Sequence, residues 1–427
     1  MDPSRAELPP SKIVTALRGF NLLPAIVFLP TRRKCDEAAS EVAFDKSQRA
    51  DPERQKQRQI IFDEFALEFP EVLDHKHAKV IVHAGVAAHH AGHVPSWKLL
   101  IERMMSAGLL NALFATSTVA AGVDFPARTV VIVNADTRGN DGWRPLTASE
   151  LQQMTGRAGR RGRDNVGFAV LAPGQFQNPK RIAELLKAPP DPLESRFRAT
   201  YTSLLNLLDA FGSFEQVREI AERSFAFRDS RLAAGDSKPD NRIWQPFDDK
   251  ARVLAHFGYL DYDAEVVTES GKWLADLRID RPLLVGEALR QGMFDELSIS
   301  QMSGLMASVA SDADRSYGEM RASRRMVDIL ADFEDIVVSV SNVEWKNGVE
   351  PVEEINYSAA AAAERWTAGM EWDELVDRTR AEEGDLVRLL SRTGEALRQL
   401  ANLRESSPAA AATAFAASEA ILRDPIR

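Results

Sequence analysis

Short apolar runs at Ala25–Leu29, Leu113–Ala115, Thr129–Asn134 and Gly167–Leu171 alternate with stretches whose apolar residues recur every three or four positions, such as Thr31–Val42 and Pro95–Ala107. The runs fit strands and the stretches fit helices, so this part of the chain predicts an α/β layout, a parallel sheet covered on both faces. Thr147 and Glu150 have the spacing of a capping box, which opens a helix that carries Gln153 and runs out at Gly156. The cluster Pro189-Pro-Asp-Pro192 breaks helices and predicts a second unit. In that unit come a leucine-rich helix around Leu204–Leu208 and a helix ending near Phe257-Gly258. A strand starting at Tyr259-Leu260, a turn over Asp261–Glu265, a strand over Val266–Thr268 and a helix from Ser270 follow, the order of a winged helix. From about Leu283 the spacing is helical to the end, as in Leu297–Met306 and Leu375–Leu403, which predicts a helical bundle. The expected division is 1–188, 189–282 and 283–427. The alanine runs Ala359–Ala363 and Ala409–Ala412 are read as strong helix formers. No repeat of solenoid period is present.

Candidate chemistry enters at Gln153-Met-Thr-Gly-Arg-Ala-Gly-Arg-Arg-Gly162, which sets Arg157 and Arg160 three residues apart in a glycine-rich loop after the predicted helix. Guanidinium groups stay charged and meet phosphate oxygens bidentately, so this pairing suits a polyphosphate. Upstream stands Phe114-Ala-Thr-Ser-Thr-Val-Ala-Ala-Gly-Val-Asp-Phe-Pro-Ala127. Together these strings resemble motifs V and VI of superfamily-two helicases, specifically DExH-box RNA helicases of the superkiller and exosome-cofactor type. Phe28-Leu-Pro-Thr-Arg-Arg-Lys-Cys35 resembles motif IV, and His89-His-Ala-Gly92 resembles that family's histidine-glycine turn. Pro192–Leu208 is similar to the helix entering its winged-helix domain, and Glu383–Gln399 to its strand-contacting helix.

The resemblance implies a second RecA-like domain, a winged helix and a bundle, the C-terminal portion of an ATP-dependent RNA helicase with 3'-to-5' type translocation. It implies that Arg157 and Arg160 act as arginine fingers on ATP with Mg2+, aided by Gln153, with Gly122, Asp124 and Gly156 lining the nucleotide cleft. Asp124 and Ser117 depart from the asparagine and glutamate frequent in the family. Thr31, Arg32, His90, Gly92, Thr116, Ser117 and Thr118 are expected to hold a strand's backbone. Trp143 is expected either at the tip of a duplex-splitting hairpin or packed inward. Arg388 and Arg392, one turn apart, are expected to contact single-stranded RNA, or DNA in a related repair branch; Arg161 favours RNA, because that branch often has proline there. No string G-x-x-x-x-G-K-[ST] and no Asp-Glu-x-His occurs. The expectation is that the first RecA-like domain, the partner that binds most of the nucleotide, is absent and that the chain alone is inactive. The other reading is a non-enzymatic nucleic-acid-binding protein derived from a helicase.

Composition changes little. Of 427 residues, 44% are apolar and 27% charged, and the net charge of −10 argues against nonspecific coating of nucleic acid. Between Glu150 and Arg198 the balance flips, with nine Lys/Arg against five Asp/Glu. Cys35 is the single cysteine, which excludes an internal disulfide framework and fits a reducing cytoplasm. No export leader or membrane span is expected. Six of seven histidines fall within His75–His93, but irregular spacing and one cysteine give no metal site. The polar loop Asp229–Arg242 is short where relatives carry an arch, and Glu371–Asp377 reads as a solvated acidic helix face.

Overall fold

The computed structural model describes residues 7–45, 51–120, 125, 127–139, 142–160, 162–193, 195, 197–224, 243–312, 315–318, 320–351 and 354–426. Two compact units, Met1–Pro192 and Leu193–Arg427, make up the chain. Gly122, Asp124, Arg161 and the loop Asp229–Arg242, all singled out by sequence, lie outside the described residues.

In the first unit, helices α1 (Pro10–Gly19), α2 (Arg32–Phe44), α3 (Pro52–Glu68), α4 (Ala78–Ala84), α5 (Pro95–Ser106), α6 (Ala148–Thr155) and α7 (Pro179–Lys187) are interleaved with strands. The strands β1 (Ala25–Phe28), β2 (Val86–His89), β3 (Ala112–Ala115), β4 (Thr129–Ile132) and β7 (Phe168–Leu171) form one parallel sheet in the order β2-β3-β1-β4-β7. β1 through β4 bury every residue, the pattern of a sheet covered on both faces. Val27, Phe114 and Val131 pack with Val14, Cys35 and Val42 from α1 and α2 into one core. An antiparallel hairpin, β5 (Asp136–Gly139) with β6 (Gly142–Pro145), leaves the carboxyl side of β4. The capping box at Thr147 and Glu150 forms and opens α6.

Sequence patterning did not find β2. Val86-Ala-Ala-His89 has one β-branched residue, yet all four are buried between β3 and the helices. It also missed Arg58 on α3, which is 1% exposed and turns its guanidinium onto the carbonyls of Val82 (2.7 Å), His83 (3.1 Å) and Leu109 (3.2 Å). Val82 and His83 end α4, where carbonyls lack helical partners, so one buried cation caps that helix.

The second unit begins with α8 (Tyr201–Phe211) and α9 (Phe214–Glu222). Helix α10 (Gln245–His256), the two-residue strands β8 (Leu260–Asp261) and β9 (Val266–Val267), and α11 (Glu269–Asp276) follow. Then come α12 (Pro282–Arg290), α13 (Ile299–Ala310), α14 (Arg324–Lys346), α15 (Tyr357–Thr367), α16 (Trp372–Thr379), α17 (Glu383–Ala401) and α18 (Pro408–Ile421). The alanine run of α15 does more than favour helix. Ala359 to Ala363 are all 0% exposed, and Gly304 of α13 packs on the Ala360 carbonyl, so small side chains let two helices approach closely. In α16 Leu375 is buried while Asp373, Glu374 and Asp377 face solvent.

Replacing Arg58 by Ala strips three buried carbonyls of their donor. Urea unfolding of the first unit should show a loss of ~2–4 kcal/mol, with Arg58→Lys recovering only part of it. A loss below ~0.5 kcal/mol would mean that the cap is idle.

Candidate nucleotide and nucleic-acid interface

The register sets the site. Phe28 of β1 lies opposite Ala115 of β3 and Ile132 of β4, and Ala115 lies opposite His89 of β2. The carboxyl ends of four strands therefore stop at one level, the edge where open α/β sheets bind ligands. Thr31, Arg32, His90, Gly92, Thr116, Ser117 and Thr118 all follow these ends. Thr31 caps α2, its hydroxyl accepting from Lys34 N–H at 3.3 Å, and Arg32 opens that helix. Thr116 and Thr118 share a hydrogen bond of 2.9 Å over the short turn Ser117–Ala120. Ser117 also faces a small cavity with Pro30, Asn134 and Thr137.

His90 needs correction as a strand contact. Its imidazole is buried; Nδ1 accepts from Gly92 N–H at 3.1 Å and Nε2 lies 3.1 Å from Asp36 Oδ1. The side chain therefore sets the turn, and the buried Gly92 amide is already bonded to it, so neither group is offered to a strand. Sequence reading missed the carboxylate. Asp36 Oδ1 also meets His77 Nε2 at 2.9 Å and His93 Nε2 at 3.2 Å, while Oδ2 pairs with Lys76 at 2.7 Å. Burial opposes its charge, but the bonds from His77, His90, His93 and Lys76 prevail and hold the carboxyl far below the usual range.

Asp36, His90 and His93 bring ligand atoms within 4.8 Å of one another, a spacing a cation could use. The hydrogen bonds speak against it. His90 Nδ1 is an acceptor, so its Nε2 carries the proton and donates to Asp36 (a tautomer assigned from the network). Nδ1 of His77 and of His93 meets no acceptor, whereas a metal-bound imidazole hands its second N–H to one.

The arginine loop is joined to the segment around motif V from both sides. Arg157 donates from Nε (3.0 Å) and Nη2 (2.5 Å) to the Ala120 carbonyl, and Gly159 N–H donates to the Ala127 carbonyl at 2.8 Å. In sequence Gly122 and Asp124 fall between Ala120 and Ala127. Gly167 lets the strand into β7 lie on Ala158, where any Cβ would collide with backbone. Arg160 is held by Asp164, with Nε to Oδ2 at 2.7 Å and Nη2 to Oδ1 at 2.9 Å. That pair keeps Asp164, whose side chain is 3% exposed, ionised down to about 2 and raises the arginine further. Two of five guanidinium donors serve Asp164, which leaves the Nη1 edge for another anion. Gln153 is exposed on α6, and Gly156 ends it.

Trp143 lies on strand β6 opposite Arg138, not at the hairpin tip, and is 58% exposed with Phe176 stacked 6.5 Å away. In the second unit Arg388 and Arg392 share a face of α17 because both meet Asp312, at 3.5 and 2.9 Å. Arg392 also pairs with Asp280 at 2.6 Å. Asp312 is held below the usual carboxylate range by its bond to Arg392, with Arg388 and Arg315 adding to it.

Two family models match the chain, the helicase conserved C-terminal domain over residues 53–162 and the DSHCT (NUC185) domain over residues 264–427. The chain is 36% identical over 227 residues to the chloroplastic DExH-box ATP-dependent RNA helicase DExH15 of Arabidopsis thaliana, 49% of this chain and 19% of that one. It is 35% identical over 201 residues to the human exosome RNA helicase MTR4, 46% of this chain and 19% of that one. To the antiviral helicase SKI2 of Saccharomyces cerevisiae it is 34% identical over 220 residues, 48% of this chain and 16% of that one. The chain thus spans about a fifth of the length of these curated relatives. Among the described residues no helix is long and apolar enough to cross a membrane.

The histidine cluster gives a pH prediction. Burial pushes His93 down to about 4, His89 to about 3 and His75 to about 2, from 6.5. These rings are neutral in the fold, while the unfolded chain takes up protons below about 6.5. Stability is therefore full above that pH and is lost as pH falls towards the folded values. Urea unfolding at pH 5 should show the first unit weaker than at pH 7 by ~2 kcal/mol or more. A flat profile over that window would contradict neutral burial.

Proposed function

From a chain that belongs, as a C-terminal part, to the superkiller-type DExH-box helicases, we infer that it supplies the second RecA-like domain, winged helix and helical bundle of an ATP-dependent RNA helicase. The observation that carries this reading is the double anchoring of the arginine loop, through Arg157 to Ala120 and Gly159 to Ala127, which makes motifs V and VI one surface. The unit 193–427 contributes the helix, two short strands and helix of a winged helix, followed by the bundle.

ATP with Mg2+ is the substrate of this reaction, bound mainly by a P-loop domain whose signature this sequence does not contain. The residues present fit the phosphate end of it. Arg160, fixed by Asp164 with its Nη1 edge left over, is preorganised to meet charge on γ-phosphate oxygens, and Arg157 orders the neighbouring loop. Gln153, exposed on the last turn of α6 ahead of this loop, is the third polar group assigned to the phosphate. The Thr116–Thr118 hydroxyls, with Thr31 and Arg32, line the carboxyl edge for a strand's phosphates. Closure of the P-loop domain onto this one moves the strand along α17, where Arg388 and Arg392 must exchange Asp312 for phosphate.

In the protein that also carries the P-loop domain, Arg160→Ala should lower ATP turnover by ~10³ or more with RNA binding retained, whereas this chain alone should show no turnover above background. Collapse of RNA affinity with turnover intact would move Arg160 to the strand site. Arg388→Ala with Arg392→Ala should weaken single-stranded RNA binding by this chain and reduce the slope of log affinity against log salt by ~1. An unchanged slope and affinity would make both arginines structural partners of Asp312 only.

A further inference from the structure

In a chain of net charge −10, one cleft of the second unit has the opposite sign. Arg321, Arg365, Arg378 and Arg380 line a cleft of about 740 Å³ in which Asp377 is the one acidic residue among the described walls. All four arginines are exposed. Arg378 pairs with Glu374 at 2.8 Å, and among the described residues Arg321, Arg365 and Arg380 meet no carboxylate; Glu319 lies outside them. Surfaces normally intersperse their signs, because like charges brought together repel. Here three separate segments bring them together, and the junctions are fixed. Gly318 lies at φ 75 against the Thr379 carbonyl, where a Cβ would collide. Ser323 bonds Glu364 through its N–H at 2.9 Å and through its hydroxyl, and Tyr317 N–H donates to Ser358 Oγ at 3.0 Å. Arg380 itself takes the left-handed region at φ 51, uncommon for a side chain of its size, to close α16 at the rim of the cleft.

We propose that this cleft binds the sugar-phosphate backbone of RNA, at a place additional to the arginines of α17. Forked guanidiniums in a concave wall match phosphate oxygens. Among the described walls Met320 is the one large apolar residue, so they offer no buried apolar anchor of the kind a protein partner uses. The cleft also adjoins the start of α17, since Arg380 stands three residues before Glu383 and Arg315 bridges Asp312 and Asp385 between them. The identity of the anion as RNA rests on the proposed function; the convergence of the arginines does not.

The test compares this chain with the triple variant Arg321→Ala, Arg365→Ala, Arg380→Ala, which is checked for unchanged circular dichroism and melting. Fluorescence anisotropy against single-stranded RNA of about 20 nucleotides is read from 50 to 200 mM salt. The triple variant should bind ~5–10-fold more weakly, with the salt slope reduced by ~2, and replacing the same three residues by Lys should restore the slope. Wild-type affinity and slope in the triple variant would overturn this site alone, leaving the helicase reading standing. Failure of the wild-type chain to bind RNA would overturn both. Loss of binding to a poly-glutamate peptide with RNA binding intact would assign the cleft to an acidic protein and overturn the RNA assignment.

Discussion

The alignment of the parallel strands governs what the first unit can do. Because Phe28, His89, Ala115 and Ile132 stand at one level across the sheet, the connections that follow them emerge side by side. Residues far apart in sequence, from Thr31 to Thr118, then line a single edge without any loop being long. The arginine loop is tied to that edge at one point and to the segment before β4 at another. It is tied to Ala127, just before β4 begins, and its Arg157 reaches Ala120 beyond the end of β3. The residues proposed for the strand and those proposed for the nucleotide are thus carried by one sheet, which is what coupling between them requires.

A second constraint is electrostatic. In an acidic chain, the arginines of the α6 loop and of α17 are held by acceptors: Arg160 by Asp164, Arg392 by Asp312 and Asp280, Arg388 by Asp312, and Arg157 by a carbonyl. Such pairs fix the planar fork before a ligand arrives and lower the entropy lost when it binds. Their worth to stability differs with burial. The Arg160 pair faces a carboxylate almost out of solvent, whereas Arg388 is 55% exposed and its pair is screened and readily exchanged. The difference fits the roles proposed for them, a fixed finger at Arg160 and a releasable strand grip at Arg388.

Much of this was legible in the sequence where the signal is local. The apolar runs of β1, β3, β4 and β7, the capping box of α6 and the helix, two strands and helix between 245 and 276 follow from periodicity and turn chemistry. What was not legible depends on partners distant in the chain. Asp280 meets Arg392 across 112 positions, and Asp36 gathers His77, His90 and His93 from across 41 to 57 positions. No spacing rule reports such contacts. That is why His90 was read as a strand contact although its ring is buried. β2 was missed because alanine fills a fully buried strand as well as valine does when the helices above it lie close. Trp143 was expected at a hairpin tip or in the core, and cross-strand pairing with Arg138 puts it at neither.

The central claim is that Arg160, already oriented by Asp164, meets the nucleotide from this side of the cleft. The most direct measurement is a structure of the protein carrying the P-loop domain, bound to RNA and a non-hydrolysable ATP analogue. The account predicts Arg160 Nη1 within hydrogen-bond distance of a γ-phosphate oxygen while Nε and Nη2 still contact Asp164. A closed nucleotide cleft in which Arg160 bonds only Asp164 and no phosphate would contradict it.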